Sequence, residues 1–202
     1  PDLRLYPFDT QDLEIEFEDD FNGVDMLKFK PDAERTFLDD GFSIPGWDVA
    51  YMRARTMSHY YPDRFDDDDL YYHRYIFAIG ITRFATSAMF TVFVPAIVIV
   101  LISLSGLWFP RDDLDVRSNA TTPMLAAAVL FHFALTQELP AVAYLTRADK
   151  LMLAVYACLG LHMISSWLWF VFEEKHTQRI FTMSKLIGAP LTVVIMLMGI
   201  LL

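Results

Sequence analysis

The chain has 202 residues, 54% of them hydrophobic, and a formal net charge of −10. The charge is lopsided: residues 1–82 carry 19 acidic against 8 basic side chains, a net of −11, whereas residues 83–202 carry 7 against 8, a net of +1. An acidic soluble part argues against nucleic acid as a partner and favours cations as what its surface concentrates.

The chain opens at Pro1 directly in strand-like sequence, which reads as a fragment or a processed product. Asp12–Glu18 is D-L-E-I-E-F-E, an alternation that puts Leu13, Ile15 and Phe17 on one face and carboxylates on the other, as in a half-solvated strand. Met26–Lys30 alternates again, and Trp47–Met57 and Tyr71–Ile81 are longer runs rich in aromatic and β-branched residues. Asn22-Gly23, Asp40-Gly41, Pro45-Gly46 and Tyr61-Pro62-Asp63 separate these runs as turns. Four or so antiparallel strands are too few to close a sandwich.

From Met89 the pattern becomes that of membrane helices, expected over about residues 88–109, 118–139, 151–172 and 186–202, each near the ~20 residues that cross a bilayer. None is N-terminal, so none is a signal peptide. Pro95 lies inside the first and is expected to kink it, and Trp108-Phe109 ends it as an interfacial aromatic pair. Pro110-Arg111-Asp112-Asp113 is a short turn to the second helix, Leu139-Pro140 ends that helix, and Tyr144–Lys150 links to the third. Glu173–Lys185 reads as a charged connector to the fourth. The basic residues of the loops are divided too evenly to give an orientation. Cys158, the single cysteine, falls within the third apolar stretch and reads as a small buried hydrophobe. His132 and His162 also lie in apolar stretches, where a neutral imidazole bonded to a neighbouring helix is the expected role. No Ser-His-Asp set, phosphate loop or metal-ligand spacing occurs in a soluble context, so neither an enzyme nor a cofactor is expected.

Tyr6-Pro7-Phe8-Asp9-Thr10-Gln11 resembles the F-P-F-D-x-Q signature of the Cys-loop receptor superfamily, the pentameric ligand-gated ion channels. Gly46-Trp47-Asp48 resembles the segment that opens a later strand of that family's β-sandwich, Arg83 stands 12 residues before Pro95 as the family's arginine does, and Pro140 with Tyr144 is similar to its loop between the second and third helices. The match runs from about Leu5 to the C-terminus. Leu13 occupies the place of the second bridging cysteine, so the disulfide that names the superfamily is not expected, as in its prokaryotic branch; the short connector before the last helix agrees. The resemblance implies β plus membrane α: the C-terminal part of an extracellular β-sandwich over residues 1–83, then a four-helix transmembrane bundle over 84–202. It implies a homopentamer in a bacterial inner membrane, with the β-domain extracellular or periplasmic, an unknown small ligand, and inorganic cations passing through the pore.

Residue by residue, the resemblance places Asp115, Asn119, Pro123, Ala126, Leu130, Phe133 and Gln137 on a pore-lining stripe of the second helix, whose spacing of three and four residues shares one face. Ordinary helix packing is the alternative for Leu130 and Phe133. Asp115 at the cytoplasmic mouth would make a ring of carboxylates favouring cations, with Arg117 as a competing charge or as its solvated loop partner. Thr121-Thr122-Pro123 conflicts with this register: read locally, Thr122 caps a helix starting at Pro123, whereas the family pattern starts it near Ser118. Pro7, Phe8, Asp9, Arg83, Pro140 and Tyr144 resemble the seam that couples the β-domain to the helices, with an Asp9–Arg83 ion pair at its centre; Arg83 reaching lipid headgroups is the alternative. Tyr60, Tyr61, Phe65, Tyr71 and Tyr72 flank a hairpin similar to the loop that caps the family's ligand site, where aromatics bind a cation or simply pair across strands. Asp66, Asp67, Asp68 and Asp69 are a candidate site for modulatory Ca²⁺, although four consecutive acids point in alternating directions and more often stay solvated.

Overall fold

A computed structural model of the chain describes residues 2–32, 34–62, 70–109, 114–171 and 174–201. The chain divides into two compact units, Pro1–Asp2 with Phe8–Phe84 and Leu3–Pro7 with Ala85–Leu202.

The first unit is built on a three-stranded antiparallel sheet of β1 (Thr10–Glu18), β2 (Trp47–Tyr61) and β3 (Leu70–Arg83) in the order β1-β3-β2. Alternation in β1 sets the register: Asp12, Glu14, Glu16 and Glu18 pair with Gly80, Ala78, Ile76 and Arg74 of the central strand. Across β3 stand Tyr51, Arg53 and Arg55 of β2. Long charged side chains from both edges therefore close over small and apolar residues of β3, and Ile76 and Ala78 are buried beneath them. Tyr51 donates its hydroxyl to Asp12 and lies over Gly80, where any Cβ would overlap its ring. Arg53 reaches Asp12 at 3.1 Å, and Arg74 holds Glu16 at 2.7 Å and Glu18 at 2.9 Å. Burial works against the charge of Glu18, but hydrogen bonds from Tyr61 and Arg74 outweigh it and hold the carboxyl below its ordinary value. This contact is thus present above the ordinary glutamate range and is lost as pH falls through the lowered value.

Two expectations for this unit are corrected. Met26–Lys30 is not a strand; Val24–Met26 form a turn, and Phe29 stacks its ring on His73 while its N–H donates to that imidazole at 2.8 Å. Leu13, Ile15 and Phe17 do share a face, yet they remain 42–53% exposed, because no second sheet covers them among the described residues.

The second unit is helical: α1 (Ala85–Ala88), α2 (Val94–Ser105), α3 (Leu114–Gln137), α4 (Arg147–Val171) and α5 (Glu174–Leu201). Among the described residues, four segments are long and apolar enough to cross a membrane: Ala85–Trp108, Asn119–Gln137, Arg147–Leu168 and Thr182–Leu201. These mark the chain as a membrane protein. α4 is the hub, packed against α2, α3 and α5, and it buries Leu151, Met152, Val155, Cys158, Leu159 and His162.

The helix ends depart from the expected bounds for local reasons. Pro95 has no N–H for the carbonyl of Thr91, and the chain forms a π-helical turn over Met89–Phe93 before α2 resumes at Val94. α3 begins at Leu114 and runs straight through Pro123, so the capping role read at Thr122 is overturned. α4 begins four residues earlier than expected because Thr146 and Asp149 cap it reciprocally: Asp149 Oδ2 accepts the Thr146 N–H and hydroxyl, each at 2.8 Å, and Thr146 Oγ1 accepts the Asp149 N–H at 3.2 Å. α5 begins at Glu174, so most of the stretch read as a connector is helix; it holds no glycine or proline before Gly188. The turn at Pro110–Asp113 lies outside the described residues.

Gly199 on α5 fits directly against Ala154 of α4, where a Cβ would overlap that of Ala154 and touch the Leu151 backbone at 3.5 Å. Gly199→Ala is expected to cost about 1–3 kcal/mol through overpacking, read as a lower midpoint of thermal unfolding in detergent. Adding Ala154→Gly should return most of the loss.

Candidate functional site

α3 has two contrasting faces. Thr121, Ala128 and Leu135, seven residues apart, are buried against the bundle. Asp115, Asn119, Pro123, Ala126, Leu130, Phe133 and Gln137 all stand exposed on the single chain, with Leu130 at 69% and Phe133 at 63%. Leu130 and Phe133 are thus left largely uncovered by the described residues of the chain. The side chain of Arg117 lies outside the described residues.

Toward the C-terminal end of α3, His132 contacts two groups on α4: Nε2 meets Asp149 Oδ1 at 3.1 Å and Nδ1 meets the Tyr156 hydroxyl at 3.2 Å. A carboxylate only accepts, so Nε2 carries the ring proton and Nδ1 accepts from Tyr156. The Tyr156 hydroxyl also lies 3.4 Å from the Ala128 carbonyl. Asp149 borders a cavity of about 510 Å³ whose walls include Gln137, Pro140, Tyr144 and Thr146. The acid partner of His132 was not expected from sequence. Its signal was Thr146-x-x-Asp149, a capping pattern that fixes which way the carboxylate faces.

Tyr144 and Pro7 belong to the same unit. The Tyr144 hydroxyl accepts the Leu3 N–H at 2.9 Å, the Arg4 guanidinium lies 5.2 Å from the Tyr144 ring centroid, and the N–H groups of Arg147 and Ala148 bond the carbonyls of Arg4 and Tyr6 at 3.1 and 3.2 Å. Residues 3–6 are thereby tied to the start of α4, using N–H groups that a helix N-terminus leaves free. Pro7 is buried and Pro140 exposed.

In the β unit the structure brings Asp9 and Arg83 together. Arg83 Nε donates to Asp9 Oδ1 at 3.1 Å, the Arg83 N–H bonds the Asp9 carbonyl at 3.3 Å, and Gln11 Nε2 donates to Asp9 Oδ2 at 2.8 Å. The guanidinium lies 4.2 Å from the Trp47 ring centroid. Asp9 is 1% exposed, so its charge depends on these donors. Phe8 beside it is half-buried.

The tyrosines near the β2–β3 turn pair across the strands, Tyr60 with Tyr71 at 5.1 Å and Tyr61 with Tyr72 at 5.8 Å between centroids. Tyr72 is buried and Tyr61 donates to Glu18 at 2.8 Å, which leaves Tyr60 and Tyr71 as the exposed pair. Phe65 and Asp66–Asp69 lie outside the described residues. A second buried cluster that sequence reasoning did not assemble joins His162 to Ser103, Thr121 and Thr192; polar residues interrupting apolar helices were its only signal.

No family model matches the chain. It is similar to a proton-gated ion channel of Gloeobacter violaceus, 24% identical over 155 residues that make up 77% of this chain and 42% of the relative. The chain thus spans less than half the length of that relative.

Asp9→Ala removes the carboxylate that Arg83 and Gln11 share. It is expected to destabilise the chain by about 2–3 kcal/mol, the scale for hydrogen bonds to a charged, mostly buried group, measured by denaturant unfolding in detergent. A loss below about 0.5 kcal/mol would match an exposed ion pair instead.

Proposed function

We propose that the chain is a subunit of a homopentameric, cation-selective, ligand-gated ion channel of a bacterial inner membrane, its β unit facing the extracellular or periplasmic side. The observation that carries this reading is the division of α3, which buries one face in its own bundle and leaves uncovered a stripe with Asp115 and Asn119 at one end and Gln137 at the other. Five such helices around an axis turn each position into a ring. Leu130 and Phe133 become apolar rings that stop ions by dewetting, and Asp115 becomes a ring of carboxylates that concentrates cations. Similarity to a relative that is an ion channel supports the same reading.

In this proposal the β unit moves the pore helices through the segment bearing Pro7, Phe8 and the Asp9–Arg83 pair and through the turn bearing Pro140 and Tyr144. Tyr60 and Tyr71 are the tyrosines open to a small ligand, Phe65 is a further aromatic of that candidate site, and Asp66–Asp69 are the candidate calcium-modulation site. The rival of another class is a membrane receptor of the same fold that conducts nothing; reconstituted protein without current in any condition would favour it. Leu130→Ser puts a hydroxyl into the gating ring and is expected to raise basal current several-fold; an unchanged closed state would overturn the register. Asp115→Asn should move the reversal potential in a salt gradient toward that of an unselective pore. An anion-preferring parent, or a variant with unaltered cation preference, would reject the Asp115 ring.

One observation favours a proton as the activating ligand, in keeping with the proton-gated Gloeobacter channel. His132 on α3 bridges to Asp149 and Tyr156 on α4 beside a cavity. A second proton on the ring converts the Asp149 contact into an ion pair, and Nδ1–H then donates to the Tyr156 oxygen while that hydroxyl turns to the Ala128 carbonyl. Acid would thus tighten α3 against α4. Current that appears on acidification and moves to lower pH in His132→Gln is the expected result; identical pH curves for parent and variant would discard the proton reading.

A further inference from the structure

Phe29, in the stretch between β1 and β2, is held to β3 by a contact that only one state of a histidine can make. Its backbone N–H donates to His73 Nδ1 at 2.8 Å, so that nitrogen is the acceptor and the ring proton is on Nε2. This is the imidazole's one hydrogen bond among the described residues, and the ring is half-buried. The Phe29 ring stacks on the imidazole, 6.2 Å between centroids and 25° between planes, and meets Tyr75 edge-on at 6.4 Å. Burial alternates here, with Leu27 and Phe29 half-buried and Lys28 and Lys30 exposed. Earlier in the same segment, the Val24 N–H donates to the Tyr71 carbonyl at 2.7 Å. Residues 24–29 are thus fastened to β3 at two places, one a backbone carbonyl and the other a titratable ring.

Imidazole takes up its second proton between pH 5 and 8. At His73 that proton forms an Nδ1–H bond on the nitrogen that accepts from Phe29, and two donors then face each other. No rotation of the ring restores the contact, because an imidazolium has no acceptor. The neighbouring groups do not replace it. On β2 the residue opposite His73 is Ser58, which is uncharged, and Tyr60 follows on that face. β1 ends at Glu18, opposite Arg74 and already bonded to Arg74 and Tyr61, and Asp19 beyond it accepts the N–H groups of Phe21 and Asn22. Lys28 and Lys30 flank Phe29, so their repulsion of a cationic ring favours opening. Attraction between an imidazolium and the Phe29 face opposes opening, and at 6.2 Å it is weak. Phe29 is itself half-buried, so water can take up the freed N–H.

We propose that His73 is a proton-operated latch in the β unit: neutral, it holds residues 27–30 against β3; protonated, it releases them while Val24 stays anchored at Tyr71. The contact is complete above the histidine range and is lost as pH falls through it. His132 gains a bond on protonation, whereas His73 loses one, so the two respond to acid in opposite senses. The bearing of the latch on ligand binding rests on the channel reading, in which Tyr71 is open to a small ligand: acid then loosens the segment anchored at that tyrosine.

The test follows amide hydrogen exchange of the full chain in lipid at about pH 8 and about pH 5, on the two sides of the imidazole range, each amide scaled to its intrinsic rate. Protection of the Phe29 amide should fall roughly two- to tenfold at the lower pH, the scale of one neutral hydrogen bond, while that of Val24 holds. His73→Asn keeps an acceptor near the place of Nδ1 that takes no proton, and should leave Phe29 protected at both pH values. His73→Phe keeps a ring without an acceptor, and should leave Phe29 poorly protected at both. A parent whose Phe29 protection ignores pH, or a His73→Asn chain that loses protection in acid as the parent does, would overturn the proposal; the first of these needs no variant. The acid response should also persist in His132→Gln, and its disappearance there would show that the segment follows the α3 site and is not latched by His73. No readout needs conduction, so absence of current from the reconstituted parent would reject the channel reading and leave the latch standing.

Discussion

Inside hydrocarbon a peptide group finds no water, so each one in the four apolar spans must be paired within its helix or met by a neighbour. Three prolines strain this rule. Before Pro95 the chain widens into a π-helical turn, and within it Thr91 turns its hydroxyl back to the Ser87 carbonyl at 2.8 Å. Pro123 and Pro190 sit inside α3 and α5 without interrupting them, so the carbonyls of Asn119 and Leu186 lose their helical donors. The freed carbonyl at Asn119 falls in the same turn as the polar end of the exposed stripe. In the proposed pentamer that turn is at a hydrated mouth, the one place in a membrane span where an unpaired carbonyl costs little.

The same constraint organises the side chains. Polar groups within the spans collect against α4, at His162 in the middle of the bundle and at Asp149 in the first turn of that helix. Both clusters use an imidazole, which can donate from one nitrogen and accept at the other and so links two helices at once. The surroundings then separate their behaviour. His132 meets a carboxylate beside a cavity, where an added proton is balanced by a charge. His162 meets only hydroxyls in a closed site, where no charged group stands among the hydrogen-bond partners of the ring.

Long-range patterns carried most of what could be read from the residues alone. Strict alternation located β1, and four apolar stretches located the four membrane-length segments, because periodicity and length are properties of many residues together. What escaped was decided by single contacts between distant positions. The pairing of Asp149 with His132 spans 17 residues and depends on a capping geometry that periodicity does not register. The helical course of Glu174–Lys185 was hidden by its charge, since polarity was read as a loop although helix propensity there is good. Thr122-Pro123 is a sound local start signal, yet it lies within a longer helix whose packing through Thr121, Ala128 and Leu135 overrides it. The turn over Val24–Met26 likewise prevails over an alternation of only five residues, too short to fix a strand without a partner.

Hydrophobicity by itself cannot distinguish a pore from a lipid-facing surface. Val129 and Leu125 on α3, Leu101 on α2 and Leu153 on α4 are exposed on the single chain much as Leu130 and Phe133 are. The distinction lies in what ends each stripe. A helix face meeting lipid should be apolar along the whole hydrocarbon depth, because each unpaired polar group there costs several kcal/mol. The stripe from Asp115 to Gln137 is apolar only in its middle: Asp115 and Asn119 precede it, Pro123 follows with no side-chain polar group, and Gln137 closes it. A surface that is polar, then apolar, then polar again suits a water-filled passage narrowed at its centre. Burial of the opposite face within the bundle leaves that stripe free to meet other copies of itself, so it is the asymmetry of α3, rather than its mean hydropathy, that favours a pore.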